Sequence, residues 1–369
     1  MTKREIIKSV IKGSISDMAP HSDIAPHSGT APHSGTTRHS DLASHSGTAP
    51  YFIDLTMAGK RDVAAYYDID ISAVNRTLGN YLLFLKFTEP EDFVPEKLGK
   101  DIFKDEFGVV WDFGKGIEIG DWSLVDHPIK NLEPGDYVFP DGKGKGRFTD
   151  AEQTANENPD CFNLLQMVGI FDTAWHTTGM EDMLMGMALD AKFTEKMFDQ
   201  ALEYNHNIIE QTPDFIDGIR FIEDWGDQKG LIMGADYWRR FLKPCLKTMY
   251  DACRKKGFSV FIHSCGNITE LFPDIIDMGV EVVDPIQPEV MDLEFIKREY
   301  GKHIVLFGGI GSQSTLPLGT PRTVLDEARQ RLDLLSSGGK YIFGPSGAIP
   351  TDTPIENIVT LIDFCKSIG

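Results

Sequence analysis

No run of about 20 apolar residues occurs in the chain, so no segment reads as a membrane-spanning helix. Behind the N-terminal Met1-Thr2-Lys3-Arg4-Glu5 there is no apolar core of the secretory type. Cysteine is sparse. The five, at 161, 245, 253, 265 and 365, are scattered, odd in number and form no C-x-x-C pair. That usage suits a reducing cytoplasm and not a disulfide framework. Positive charge is also short: 36 Lys and Arg stand against 56 Asp and Glu, a net charge of −20. Such a surface repels nucleic acid and anionic membrane and argues against both as partners. No G-x-G-x-x-G follows the first expected strand, so a dinucleotide-binding sheet lacks its fingerprint.

What is present is ample core material, with 41% hydrophobic residues in a chain of 369. Residues 1–20 hold one short helix, predicted over 4–12 from the stripe Ile6, Ile7, Val10 and Ile11. Then His21, His27, His33, His39 and His45 recur every six residues, each followed by Ser and twice within His-Ser-Gly-Thr-Ala-Pro. Residues 21–50 are nearly free of apolar side chains and cannot bury a core, so they read as a disordered, duplicated insert. A metal-binding histidine tract is the other reading. Removing the insert joins Pro20 to Tyr51, a turn leading into a strand.

From residue 51 to the end strands and helices alternate. Strands are expected at 51–55, 164–171, 218–222, 260–263, 280–283, 304–307 and 341–343. Helices are expected at 60–67, 75–87, 180–189, 195–211, 236–256, 268–278, 293–300, 321–336 and 354–368. Residues 89–160 read as an irregular covering segment with short strand-like pieces at 109–113 and 137–139. Repeated strand–helix units predict a single α/β domain over 51–369, a (β/α)8 TIM barrel, with an open doubly wound sheet as the alternative.

Such folds carry their chemistry at the carboxyl ends of the strands. There the chain places Asp54, then Glu223-Asp224-Trp225-Gly226-Asp227, then His263 and Cys265, then Asp284 and Gln287, and last Ser346. His263 and Cys265, two apart after an apolar run, offer the imidazole and thiolate that Zn²⁺ prefers. Three carboxylates within five residues raise one another's pKa unless a cation sits among them. Any single Asp at a strand end serves equally as a helix cap, Asp284 in particular.

The segments Glu223-Asp224-Trp225-Gly226-Asp227-Gln228, Arg239-Arg240-Phe241-Leu242-Lys243-Pro244, His263-Ser264-Cys265-Gly266-Asn267, Asp284-Pro285-Ile286-Gln287-Pro288 and Gly308-Gly309-Ile310 resemble the uroporphyrinogen decarboxylase superfamily. So does Asp352-Thr353-Pro354-Ile355-Glu356-Asn357. The resemblance implies a (β/α)8 barrel and one of two activities. Tetrapyrrole decarboxylases need an arginine cluster near the first strand, and 51–60 contains no arginine. The corrinoid-dependent methyltransferases carry zinc on His-x-Cys and on a distant Cys, where this chain has Ser346. The expected metal ligands are therefore His263, Cys265 and, as third, Glu223. Loss of the second thiolate disfavours activation of a thiol acceptor. It leaves removal of a methyl group from a small donor, a methoxylated aromatic, and delivery to a corrinoid (cobalamin) held by a partner protein. Asp224 and Asp227 are the expected acids. Trp175, His176 and Trp225 would wall the donor or else belong to the core or the rim, with Asp54, Asp284, Gln287 and Ser346 around it. A homodimer is compatible with this reading. The alternatives are a decarboxylase of the uroporphyrinogen type and a non-catalytic small-molecule-binding barrel.

Overall fold

The computed structural model describes residues 1–13, 49–114, 123–131, 133 and 137–369. The repeat predicted as a disordered insert lies, but for Ala49 and Pro50, outside the described residues. The chain forms two compact units, Leu83–Val283, and Met1–Leu82 together with Asp284–Gly369.

The Leu83–Val283 unit takes up β1 (Leu82–Lys86) and then a small antiparallel sheet, in the order β2 (Glu96–Lys97), β3 (Ile102–Lys104), β4 (Val110–Asp112) and β5 (Ser123–Asp126). There follow β6 (Phe162–Val168), β7 (Gly218–Ile222) and β8 (Ser259–His263). These belong to a parallel sheet whose strand order is the chain order. Apart from Gln166 and Arg220, residues 164–167, 218–221 and 260–262 are buried and apolar, the signature of strands covered on both faces. Register pairs Val168 with Ile222 and Ile222 with His263. The residues that follow these three strands therefore emerge at one level. Asp190 caps the amphipathic helix Ala191–Gln211, accepting from Phe193 N, and Phe193, Met197, Phe198, Ala201 and Ile208 form its buried stripe.

Two expectations change here. The run 75–87 is not one helix. Helix Val74–Leu78 ends at Gly79, whose φ of +74° is the left-handed stop, and Leu82–Lys86 continues as β1. A short apolar run does not by itself distinguish strand from buried helix. The expected strand 164–171 also ends early, because residues 170–178 form the helix Ile170–Thr178.

In the other unit, β9 (Val282–Ile286), which starts in the first, is followed by β10 (Val305–Ile310) and β11 (Tyr341–Pro345), with Leu306 opposite Tyr341 and Ile310 opposite Pro345. The first expected strand, 51–55, is no regular ladder. It makes isolated parallel bridges from Tyr51 to Phe343 and from Leu55 to Ile349. Helix Lys3–Lys12 buries Ile6, Ile7, Val10 and Ile11, with a capping box between Thr2 and Glu5. Among the described residues no helix is long and apolar enough to cross a membrane.

Candidate functional site

The turn after β8 and the turn after β7 are fastened to each other. Trp225 N donates to Ser264 Oγ at 3.0 Å, and Asn267 N donates to Asp227 O at 2.8 Å. Their backbones approach so closely that a Cβ on Gly266 (φ +78°) would lie 2.4 Å from the carbonyl carbon of Gly226. Only glycine tolerates both that conformation and that contact.

The fastening brings three side chains together. Cys265 N donates to Asp224 Oδ1 at 2.9 Å, and Cys265 Sγ lies 3.5 Å from His263 Nε2. One ligand atom each from Asp224, His263 and Cys265 falls within 4.8 Å of the others. The carboxylate that lies with His263 and Cys265 is that of Asp224, while Glu223, the expected third ligand, has its oxygens engaged elsewhere. Glu223 is fully buried, and its oxygens accept from Ile170 N (2.6 Å), Phe171 N (3.0 Å) and Trp225 Nε1 (3.2 Å). It thus caps the helix Ile170–Thr178. A Cβ on Gly169 would sit 2.1 Å from Glu223 Cδ, so glycine there makes room for the carboxyl. Burial pushes the Glu223 carboxyl up to about 8, with the nearby Asp172 charge as the second cause.

Asp172, which sequence reasoning missed, lies on the same helix. It is buried, and its Oδ1 accepts from Trp175 Nε1 at 3.0 Å and from Asp224 N at 3.3 Å. Burial, and then the Asp224 charge, push it up to about 7. Placing the end of the strand at Val168, not Phe171, would have put Asp172 among the strand-end acids. Arg220 was also missed. It is 6% exposed inside β7 and donates to His263 Nδ1 (2.6 Å) and Gln166 Oε1 (2.8 Å), with its guanidinium 4.7 Å from the Phe84 ring. A charged residue within Gly-Ile-Arg-Phe-Ile is the available signal, since such groups are buried only when paired.

Several expected site residues have other duties. Asp227 is exposed, and its Oδ1 accepts from Lys229 N and Gly230 N, so this expected acid holds a turn. Trp225 does not wall an open site. It is fully buried with its ring 5.2 Å from that of Trp238. Trp175 is tied to Asp172 and packs on His176 at 4.1 Å. Ser346, in the other unit, donates to Ile286 O and accepts from Gly309 N, closing a buried backbone gap there. Asp54, Asp284 and Gln287 lie in that unit too, the last two buried.

His176 does line open space. A cavity of about 660 Å³ is bounded by Phe103, Phe107, Trp111, Phe113, Val168 and His176 among others. Its surface is mostly apolar. The His176 ring packs edge-on to Trp111 at 5.1 Å, and burial, then the charge of His127, push it down to about 4, so it is neutral at physiological pH.

One imidazole nitrogen, one sulfur and one carboxylate oxygen match the three protein ligands of a catalytic zinc site, which leaves the fourth position for a reactant. The donor set fits the metal. Arg220 at Nδ1 sets a condition: the neutral ring carries its proton on Nε2, the nitrogen beside Cys265, and metal binding there must displace it.

The pattern of the family described as Uroporphyrinogen decarboxylase (URO-D) matches residues 166–368. The chain is 22% identical over 268 residues to the methylcobamide:CoM methyltransferase MtbA of Methanosarcina acetivorans, covering 69% of this chain and 75% of that one. It is 28% identical over 131 residues to MtaA of Methanosarcina barkeri, covering 36% of each. A solved methyltransferase from Methanosarcina mazei superposes with a TM-score of 0.68 at 16% identity, over 99% of this chain and 98% of that one, a likeness of fold.

Proposed function

The chain belongs to the uroporphyrinogen decarboxylase family, and from that premise we propose that it is a zinc-assisted methyltransferase. In this reading it takes a methyl group from a methoxylated aromatic and passes it to a corrinoid held by a partner protein. The observation that carries the reading is the convergence of Asp224, His263 and Cys265 within 4.8 Å at the ends of two adjacent strands. The names of the curated relatives, methylcobamide:CoM methyltransferases, support the methyl and corrinoid parts.

The three side chains would hold the metal, which supplies Lewis acidity at the donor's ether oxygen. Asp172 sits behind Asp224, and its burial suits it to hold the proton that the departing phenolate oxygen takes up. The balance is simple. The methyl–oxygen bond breaks, the methyl group goes to the reduced corrinoid, and the proton ends on the phenol. Arg220 and Gln166 orient the His263 ring from behind.

A second reading, methyl transfer from the corrinoid to a thiol, is favoured by the names of the relatives, methylcobamide:CoM methyltransferases. One experiment separates the two. The zinc-loaded full chain is mixed with cob(I)alamin and methoxybenzene, or with methylcobalamin and a simple thiol, and the corrin absorbance is followed. Formation of methylcobalamin and phenol is expected in the first mixture and is lost in His263→Ala. Protein-dependent demethylation of methylcobalamin in the second mixture, with no phenol from the first, would establish the second reading instead. Full activity of His263→Ala would reject the metal mechanism.

A further inference from the structure

We propose that the cavity lined by the β3–β4 hairpin is the seat of the donor's aromatic ring, so that residues outside the family match set the substrate class. The inference rests on the methyl-transfer reading and adds to it where the donor binds and which residues select it.

The cavity has two walls of different origin. Val168, Thr173 and His176 come from the part of the chain that the family pattern matches. Phe103, Phe107, Trp111 and Phe113 lie before residue 166 and outside it. This second wall presents ring faces and edges. Phe103 and Phe113 pack at 6.1 Å, and Trp111 stands edge-on to His176. Aromatic rings prefer such edge-to-face and offset neighbours, at centroid distances of about 4.5–7 Å.

The polar groups of the hairpin already have partners. Asp105 accepts from Trp111 Nε1 (2.8 Å), Phe107 N (2.9 Å) and Val109 N (2.9 Å), and Lys104 pairs with Glu96. Lys86 and Glu89 also border the cavity, but its lining is mostly apolar, which offers a sugar or a polyanion little, whereas an apolar ring loses little by leaving water. The volume, about 660 Å³, lies within the range of small-molecule pockets and leaves room for a substituted ring.

Position links the cavity to the chemistry. Thr173 and His176 are one turn apart on the helix Ile170–Thr178, on the side that faces the cavity. Asp172 on the same helix accepts from Asp224 N. A ring seated against His176 therefore has its substituents within reach of the helix that contacts the metal triad.

The test is binding of methoxybenzene to the zinc-loaded full chain by calorimetry, beside methoxycyclohexane, which has the same ether on a saturated ring. The aromatic ether is expected to bind about fivefold more tightly. It should also quench tryptophan emission, with the quench lost in Trp111→Phe. Val168 is 39% exposed, so Val168→Trp can fill the cavity from its rim. That variant should weaken methoxybenzene binding by about tenfold or more, with zinc content and melting temperature unchanged. If it lowers the melting temperature, Phe113→Ala decides, with a loss of several-fold expected. Equal affinity for the two ethers, or full affinity in the filled or trimmed variant, overturns the slot. If methoxybenzene binds as stated but no methyl group reaches cob(I)alamin, the slot stands and the methyltransferase reading fails. If methyl transfer from methoxybenzene is as fast in Val168→Trp as in the wild type, that reading stands and the slot fails.

Discussion

Arg220 Nη2 donates to His263 Nδ1 at 2.6 Å, so a fixed positive charge sits on the far side of the imidazole from Cys265. The usual partner behind a zinc-bound histidine is an acceptor, such as a carboxylate or a carbonyl. A guanidinium there does the opposite: it keeps the proton on the nitrogen that would bind metal and repels the cation. Arg220→Met is therefore expected to raise zinc affinity by roughly tenfold, the size that outer-shell partners exert. Competition with a chromophoric chelator measures it. Weaker zinc binding in that variant would show that the guanidinium stabilises the loaded site.

Glu223 and Asp224 are neighbours with separate duties. Asp224→Asn and Cys265→Ser should each lower zinc affinity, while Glu223→Gln should retain zinc. The amide of Glu223→Gln would turn an N–H toward Ile170 N or Phe171 N, costing about 1–3 kcal/mol of stability. Metal content and chemical denaturation, read on all three, decide. Loss of zinc at unchanged stability in Glu223→Gln would reverse the assignment of the third ligand.

Gly266→Ala should damage the site more than its size suggests. The new methyl group meets the backbone of Gly226 and Asp227 at 2.4–2.6 Å and must force the two ligand-bearing turns apart. Zinc affinity should fall with a moderate drop in melting temperature, since strained positive-φ positions cost about 1–3 kcal/mol. An unchanged affinity would mean that the turns are not held as described.

Stability should carry a signature of His176. Its folded-state value of about 4 lies below the ordinary 6.5. The unfolded chain therefore binds the proton first as pH falls. The stabilisation is complete above about 6.5 and is lost on descending toward 4, at up to about 1.4 kcal/mol per pH unit. Asp172 and Glu223 run the other way, their raised values favouring the folded state at low pH and losing that contribution as pH rises toward about 7 and 8. The difference between wild type and His176→Gln isolates the histidine. It should shrink between pH 6.5 and 4, as read by urea denaturation. A constant difference would place His176 in water.

The sequence by itself determined the alternation of strands and helices, the family, and the pairing of His263 with Cys265. Each is written locally, in apolar periodicity, in contiguous motifs and in a spacing of two. It also placed Glu223 and Asp224 at a strand end but not which of them turns toward Cys265. Adjacent residues in extended chain point to opposite sides, and the choice depends on what waits on each. A helix N-terminus waits for Glu223 and the Cys265 amide for Asp224. Asp172 and Arg220 were decided only by tertiary structure, because the partners that give them a role are 43 or more residues away. Of the hairpin at 102–112 the sequence marked only the strand-like piece at 109–113. The apolar run at 82–85 became a strand for the same kind of reason: its burial comes from neighbours that the local pattern does not contain.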